Sequence, residues 1–409
     1  LIFDNEFVET VSDLQSRGDK TDVLQWLQVC DNGEAAFFAD DYRAFRDAEG
    51  DAEPEVTACD DDMLYIMYTS GTTGLPKGVV HTHHTAIWGL FSIAATANYN
   101  IPERFLACLP MFHVGALTPL AVNVYRGVTS VVMRSFDPVA AWKIIESEKI
   151  TSALCVPAML NFMVQVPNFE DFDRSTLRWI MTGAAPVPVA LTQQYQSMGI
   201  SIQQVYGLTE TCGPACLMDG EGAIKRPEST GKAFFHTEVK IVDDSGNDCP
   251  AGTAGEVLVR GEHIMTEYWN RPDATAETLV DGWLRTGDVA MMDEEGYVSI
   301  QDRIKDMIIS GGENVYPAEI EGVLMSHESI AEAAVIGQES ETWGESPLAI
   351  VVKTDDSLST AEVLEYCQGK LARFKQPKAV EFIDVIPRNP SGKILKRVLR
   401  EQYPAKADV

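Results

Sequence analysis

Between Leu64 and about Leu217, short apolar runs alternate with stretches of helical pattern. TSVVM, ITSALCVP, LRWIMTG and ISIQQVYG each read as a strand closed by a turn. That alternation predicts an α/β sheet with helices packed on its faces. The texture changes from Gly231 to Ile300, where VKIVDDSGNDCPAGTAGEVLVRG reads as strand, D-S-G turn and strand, and GYVSIQDR continues it. This predicts a β-rich subdomain. After Arg303 comes a unit of about a hundred residues, the size of a small domain. In it AEIEGVLMSH reads as a helix, EAAVIGQ and SPLAIVVKT as strands, and STAEVLEYCQGKLARF as a helix opening on a capping-box pattern. The first sixty residues read as helix-like pieces joined by an acidic connector, DAEGDAEPE.

Composition narrows the function classes. The chain is 45% hydrophobic and 23% charged, as a globular protein is. A net charge of −29 excludes a broad basic face for nucleic acid and sets the exterior against anionic membranes. One stretch breaks this trend: Lys370 to Arg400 holds nine Lys or Arg residues against Glu381 and Asp384. On charge alone, it is either a dock for an anionic ligand or a solvated face. Eight scattered cysteines without a C-x-x-C pair suggest reduced thiols in the cytoplasm rather than a disulfide framework or zinc site. The start, LIFDNEFVETV, is acidic and does not read as a secretory leader. Phe105 to Tyr125 lacks Asp, Glu, Lys and Arg, yet Pro110, His113, Pro119 and Asn123 disfavour a lone helix in lipid. A buried strand, a loop at His113 and a core helix account for it better.

The chemistry is carried by five stretches. YTSGTTGLPKGV, Tyr68 to Val79, is rich in glycine and hydroxyl residues and follows the apolar run LYIMYT. Its backbone N–H groups suit a nest for phosphate. The spacing of Gly71, Gly74 and Lys77 is not that of a Walker A loop, and Pro76 argues against a helix starting there. VYGLTE places the Tyr206 ring, the Thr209 hydroxyl and the Glu210 carboxylate within five residues, suiting a flat base and a hard cation. GWLRTGD ends in Asp288, placed to accept from ribose hydroxyls. DRIKDMIISGGENVYPAEIE reads as a charged junction, a strand, a Ser-Gly-Gly turn and a helix. PRNPSGKILKR sets Lys393 on a stiffened loop. Each alone also reads as ordinary structure: a surface hairpin, a core tyrosine, a plain turn. His81, His83 and His84 in HTHH suggest a metal, but a helix after the phosphate loop explains them better.

In this order the set resembles the adenylate-forming superfamily of acyl-CoA synthetases, amino-acid-activating domains and beetle luciferases. MFHVGAL and IPRNPSGKILK look like its fatty-acyl-CoA synthetase branch. The resemblance implies a large N-terminal domain, residues 1–304, of αβ-layered sheets plus a distorted barrel. A small mobile C-terminal α+β domain, 305–409, would turn on a hinge at Lys305. It implies that Thr69, Ser70, Gly71, Thr72, Thr73 and Gly74 wrap the β- and γ-phosphates of ATP, with Lys77 adding charge. Gly183, Ala184, Ala185 and Pro186 would line the adenine and acyl pockets, and Tyr206, beside Gly207, would stack on adenine. Thr209 would touch the α-phosphate and Glu210 would ligate Mg²⁺. Asp288 and Arg303 would hold the ribose, while Lys393 would bridge the substrate carboxylate and the α-phosphate. His113, Val114 and Gly115 would stand at the acyl pocket. Rotation would withdraw Lys393 and bring Ser310, Gly311 and Gly312 toward the thiol of coenzyme A, with Arg373 and Lys375 in the basic corner receiving its phosphates.

No acid stands near MFHVGAL or TGAAP to meet an α-ammonium ion, which favours a plain carboxylic acid. Small residues there, Ala116 among them, leave room for an alkyl chain, although aryl or short thioether acids fit the same description. The reading is therefore a medium- to long-chain fatty acid–CoA ligase using ATP, Mg²⁺ and coenzyme A. The alternatives are an acyl-AMP ligase serving a carrier protein, an aryl or short thioether acid–CoA ligase, and an adenylate-binding module without turnover. A homodimer and weak peripheral membrane contact stay open. Family members carry a longer region before the phosphate loop than the 67 residues here, so the resemblance implies that the first portion of the large domain is missing.

Overall fold

The computed structural model describes residues 1–30, 34–69, 76–97, 103–184, 187–218, 220–340, 342–389 and 392–404. The chain divides into two compact units, Leu1–Ala58 and Cys59–Val409.

The first unit corrects the helical expectation for this region. Ile2–Asp4, Leu27–Val29 and Asp40–Asp41 form a three-stranded parallel sheet, with helices Val8–Ser16 and Tyr42–Asp47 between and after them. Buried Phe3, Val11 and Leu27 make its interior, and Phe3 stacks on Phe38.

The second unit is built on a seven-stranded sheet. Thr129–Val132, Arg104–Ala107, Ser152–Cys155, Trp179–Gly183 and Ser201–Tyr206 are adjacent and parallel, and Cys216–Leu217 and Lys232–Ala233 add antiparallel strands at one edge. Leu106, Ile180 and Ile202 on these strands pack with Trp142, Leu160 and Tyr195 from the helices into the largest apolar cluster. A hairpin of Met63–Thr69 and Lys77–Thr82, with Glu267–Tyr268 at its side, forms a separate three-stranded sheet. Glu238–Val242, Gly255–Arg260, Trp283–Met292 and Val298–Arg303 make the antiparallel β-rich part, with Leu279–Val280 at its edge. Register shifts at Glu256/Leu258 and Val289/Ala290 bend it, as bulges do.

Beyond Arg303, Glu313–Val315, Ile308–Ser310, Gly344–Lys353 and Ile330–Ser340 form an antiparallel sheet that Ala379–Phe382 joins in parallel. Helices Pro317–Leu324, Thr360–Tyr366 and Lys396–Gln402 accompany it. The capping box at Ser359 and Glu362 is present, but the helix stops at Tyr366 rather than running to Phe374. Gly369 has φ +74°, which ends an α-helix. None of the apolar clusters among the described residues joins the two sides of Lys305: two lie wholly after it and the rest wholly before.

The charge-free stretch is strand Arg104–Ala107, a turn, and helix Val114–Arg126 capped by His113. Among the described residues no helix is long and apolar enough to cross a membrane.

Candidate active site

Parallel strands leave their C-terminal ends on one edge, where open α/β sheets gather ligands. Arg104–Ala107 leads there to His113, Ser152–Cys155 to Val156, Trp179–Gly183 to Ala184, and Ser201–Tyr206 to Gly207 and Thr209. Two glycines make the edge possible. A Cβ on Gly183 would stand 2.2 Å from the Val205 carbonyl oxygen, and one on Gly207 1.5 Å from that of Gly213. Ala184 follows with φ +67°, a strained value for a residue with a side chain.

Tyr206 ends its strand with its hydroxyl donating to Asp288 Oδ2 at 2.7 Å. Asp288 lies opposite Arg303 across two antiparallel strands, and Arg303 Nε stands 3.3 Å from Oδ1. Asp288 is 5% exposed and its carboxylate is held from both sides. Such a group is fixed before a ligand arrives and keeps lone pairs for hydroxyl donors.

Thr209–Thr211 is one 3₁₀ turn. The Thr209 carbonyl accepts from His81 Nε2 at 2.8 Å, and His81 Nδ1 faces Thr85 Oγ1 at 3.1 Å. Burial lowers the His81 pKa to about 4, so the ring is neutral near pH 7. The HTHH stretch is thus split: His81 belongs to strand Lys77–Thr82, and His83 and His84 open helix His83–Thr96. Among the described residues no group of three or more His, Cys, Asp or Glu side chains gathers as a metal cage. Glu210 Oε1 accepts from the Tyr268 hydroxyl at 2.7 Å. Its other oxygen suits Mg²⁺, which takes one or two carboxylates plus substrate phosphates rather than an all-protein cage.

Thr69 and Lys77 pair at the mouth of the hairpin, where the Thr69 hydroxyl donates to the Lys77 carbonyl at 3.5 Å. The Lys77 ammonium sits 3.9 Å from the centre of the Tyr268 ring. Ser70, Gly71, Thr72, Thr73, Gly74, Ala185 and Pro186 lie outside the described residues.

Lys393 reaches this edge from the far end of the chain. Its loop is closed by reciprocal bonds with Asn389, whose Oδ1 accepts from the Lys393 N–H and whose N–H donates to the Lys393 carbonyl, both at 2.9 Å. A Cβ on the neighbouring Gly392 would touch Val156 at 3.4 Å. Burial, with Arg303 and Lys305 nearby, lowers the Lys393 pKa to about 7 against the opposing pull of Asp288 and Asp306. His113 feels the same neighbour: burial and the Lys393 charge hold its pKa below the usual histidine value. The Gly115 N–H donates to His113 Nδ1 at 3.0 Å, which leaves Nε2–H as the donor of the neutral ring. Val114 and Ala116 are buried behind it on the helix.

Structure thus gathers His113, Asp288, Arg303 and Lys393. It keeps the residues expected to serve coenzyme A with the C-terminal sheet. Ser310 is buried, Gly311 and Gly312 turn with φ +62° and +86°, and Trp343 covers Gly311. Lys375 pairs with Glu319 at 2.6 Å, and Arg373 offers its carbonyl to Lys378. The basic corner is laced with acids, including Glu321 on Lys396 and Asp306 on Arg400. Lys305 lies in the turn after Arg303, and burial and cationic neighbours lower its pKa. Sequence reasoning missed His81 as the support of Thr209 and Tyr268 as the partner of Glu210. A histidine inside an apolar strand was a signal for the first; for the second there was none.

Residues 3–269 match the AMP-binding enzyme family, and residues 319–393 its C-terminal domain. The chain belongs to the AMP-binding enzyme family. Within it, this chain is 48% identical over 353 residues to a long-chain fatty acid–CoA ligase of Mycobacterium tuberculosis, covering 86% of this chain and 70% of that protein. A feruloyl-CoA synthase of Amycolatopsis is 39% identical over 87% of this chain and 73% of its own length. Among solved structures, a fatty acyl-CoA synthetase of Mycobacterium tuberculosis superposes with TM-score 0.74 at 43% identity, over 98% of this chain and 78% of that one. An o-succinylbenzoate–coenzyme A synthetase of Bacillus subtilis, bound to ATP and magnesium ion, gives TM-score 0.83 at 32% identity over 96% and 81%. The mixed α/β class read from the alternating runs is that of these relatives.

Proposed function

We propose that this family member joins a medium- to long-chain fatty acid to coenzyme A through an acyl-adenylate, at the sheet edge that Lys393 closes. It is an AMP-forming acid–thiol ligase using ATP, Mg²⁺ and coenzyme A. The observation that carries the site assignment is the approach of Lys393 to the Asp288–Arg303 pair and to His113, from a loop that follows Arg303 by 90 residues and His113 by 280.

In the first step a carboxylate oxygen attacks the α-phosphorus of ATP. The new C–O–P bond forms as the bond to the β-phosphate breaks, and pyrophosphate leaves with the electron pair. Two anions must meet, so the protein's task is positioning and charge compensation. Asp288 takes the ribose hydroxyls, already oriented by Tyr206 and Arg303, and Tyr206 presents its ring to adenine. Thr209 lies at the α-phosphate, with its backbone fixed by His81. The Thr69–Gly74 loop and Lys77 hold the β- and γ-phosphates. Mg²⁺, when bound at Glu210, neutralises charge on the phosphates. Lys393 becomes cationic as the two anions arrive, and His113 Nε2–H donates at the carboxylate. Gly183, Ala184, Val114 and Gly115 border the acyl chain.

In the second step the thiolate of coenzyme A attacks the acyl carbon and AMP departs. Lys393 serves the first step in this reading and withdraws for the second, so the reading includes a boundary at Lys305, with 305–409 turning as a body to present Ser310–Gly312. Separation of the apolar clusters at that residue supports it. The scatter of eight cysteines without a C-x-x-C pair supports a cytoplasmic setting.

Pyrophosphate release across fatty, aryl and amino acids, with and without coenzyme A, tests the reading. The expected result is release with alkyl acids and acyl-CoA only when coenzyme A is present. Release with aryl acids alone would move the substrate assignment to the feruloyl side, and release without acyl-CoA formation would point to a carrier protein as acceptor.

A further inference from the structure

Tyr268 is 3% exposed and stands in the two-residue strand Glu267–Tyr268 against strand Lys77–Thr82. This short segment grips its surroundings at several points. The Met265 N–H donates to the Glu210 carbonyl at 2.8 Å, and the Trp269 N–H to that of Gly78 at 2.7 Å. From this fixed backbone the Tyr268 hydroxyl reaches Glu210 Oε1 at 2.7 Å, while the face of the same ring carries the Lys77 ammonium at 3.9 Å.

We infer that Tyr268 is a positioning residue for the metal–phosphate half of the site, aiming the Glu210 carboxylate with its hydroxyl and holding Lys77 on its ring. The inference rests on the ligase reading. A carboxylate on a flexible stem offers either oxygen to a cation; a phenol bound to Oε1 leaves Oε2 and fixes the rotamer. Partners of this kind typically change metal affinity by about 10- to 100-fold. The ring contact restrains a long cationic stem that otherwise samples many rotamers, and holds the ammonium by cation–π attraction at the root of the phosphate loop. One side chain therefore ties the cation of the hairpin to the acid of the 3₁₀ turn, 133 positions apart in sequence.

Calorimetric binding of α,β-methylene-ATP, with and without Mg²⁺, separates the two duties. Tyr268→Phe keeps the ring and removes only the hydroxyl. It should cut the affinity gain given by Mg²⁺ about tenfold or more, while metal-free binding stays unchanged. Tyr268→Leu should also weaken metal-free binding, because Lys77 loses its support. In a Glu210→Gln background, Tyr268→Phe should have no further effect on the Mg²⁺ gain. An unchanged Mg²⁺ gain in Tyr268→Phe, or equal losses with and without metal, overturns the inference and leaves the ligase reading standing. Failure of the unaltered protein to bind the analogue at all overturns both.

Discussion

Lys393 is the residue on which the proposed chemistry turns. It is pressed between burial and neighbouring cations, and its pKa of about 7 marks a charge that the fold tolerates only with a partner. The unfolded chain holds this proton up to about pH 10.4, whereas the folded chain releases it near 7. Between those values the unfolded state binds more protons, so the Lys393 contribution to stability is complete at high pH and is lost as pH falls through 7. Lys393→Met should therefore melt above the unaltered protein at pH 6.5, with the gap closing toward pH 10 in paired thermal scans. The same lysine should be dispensable to one half-reaction: Lys393→Ala should lower acyl-AMP formation by about 10²- to 10³-fold. Rapid-quench assays starting from supplied acyl-AMP should show thioester formation retained. Equal loss of both steps would remove Lys393 from its assigned role. Lys393, Glu210, Tyr206 and Asp288 stand out in the sequence as candidates because each sits in a short motif. The bonds that aim them do not, since His81 meets Thr209 across 128 positions and Tyr268 meets Glu210 across 58.

Elements were legible where burial imposes a pattern. The four apolar runs that predict strands are Thr129–Val132, Ser152–Cys155, Trp179–Gly183 and Ser201–Tyr206. The first unit escaped because its strands are only two or three residues long and show no periodicity. Helix Pro317–Leu324 illustrates a bond between elements that no motif announces. Its N-cap, Tyr316, makes no side-chain cap bond, and Pro317 has no N–H; the Ala318 N–H is taken at 2.9 Å by Asp302, which precedes Lys305 in the chain. The helix is thus capped from the other side of the proposed hinge at Lys305. A capping carboxylate contributes about 0.5–2 kcal/mol, or roughly 2- to 30-fold in a two-state balance. Asp302→Ala should slow single-turnover acyl-AMP formation by a factor in that range while the thioester step keeps its rate. An unaltered ratio of the two rates would show that the cap has no preference between arrangements.

For the whole molecule, the unit after Arg303 is set off in the sequence by its size, whereas a pivot at Lys305 is implied only by a resemblance, since IKDM is an unremarkable charged turn. Rotation there predicts that Lys305→Pro, which stiffens the backbone, leaves ATP–pyrophosphate exchange within a few-fold of normal and takes acyl-CoA production to background. Full turnover in that variant would place the pivot elsewhere. The division of the apolar clusters at Lys305 has a thermodynamic corollary. In the proposed rotation the tail would uncover little oily surface and would give up polar links such as the Ala318 N–H bond to Asp302 instead, so its heat-capacity change should be near zero. A van't Hoff plot of the balance between the two arrangements should then be close to a straight line, its slope set by an enthalpy that does not change with temperature.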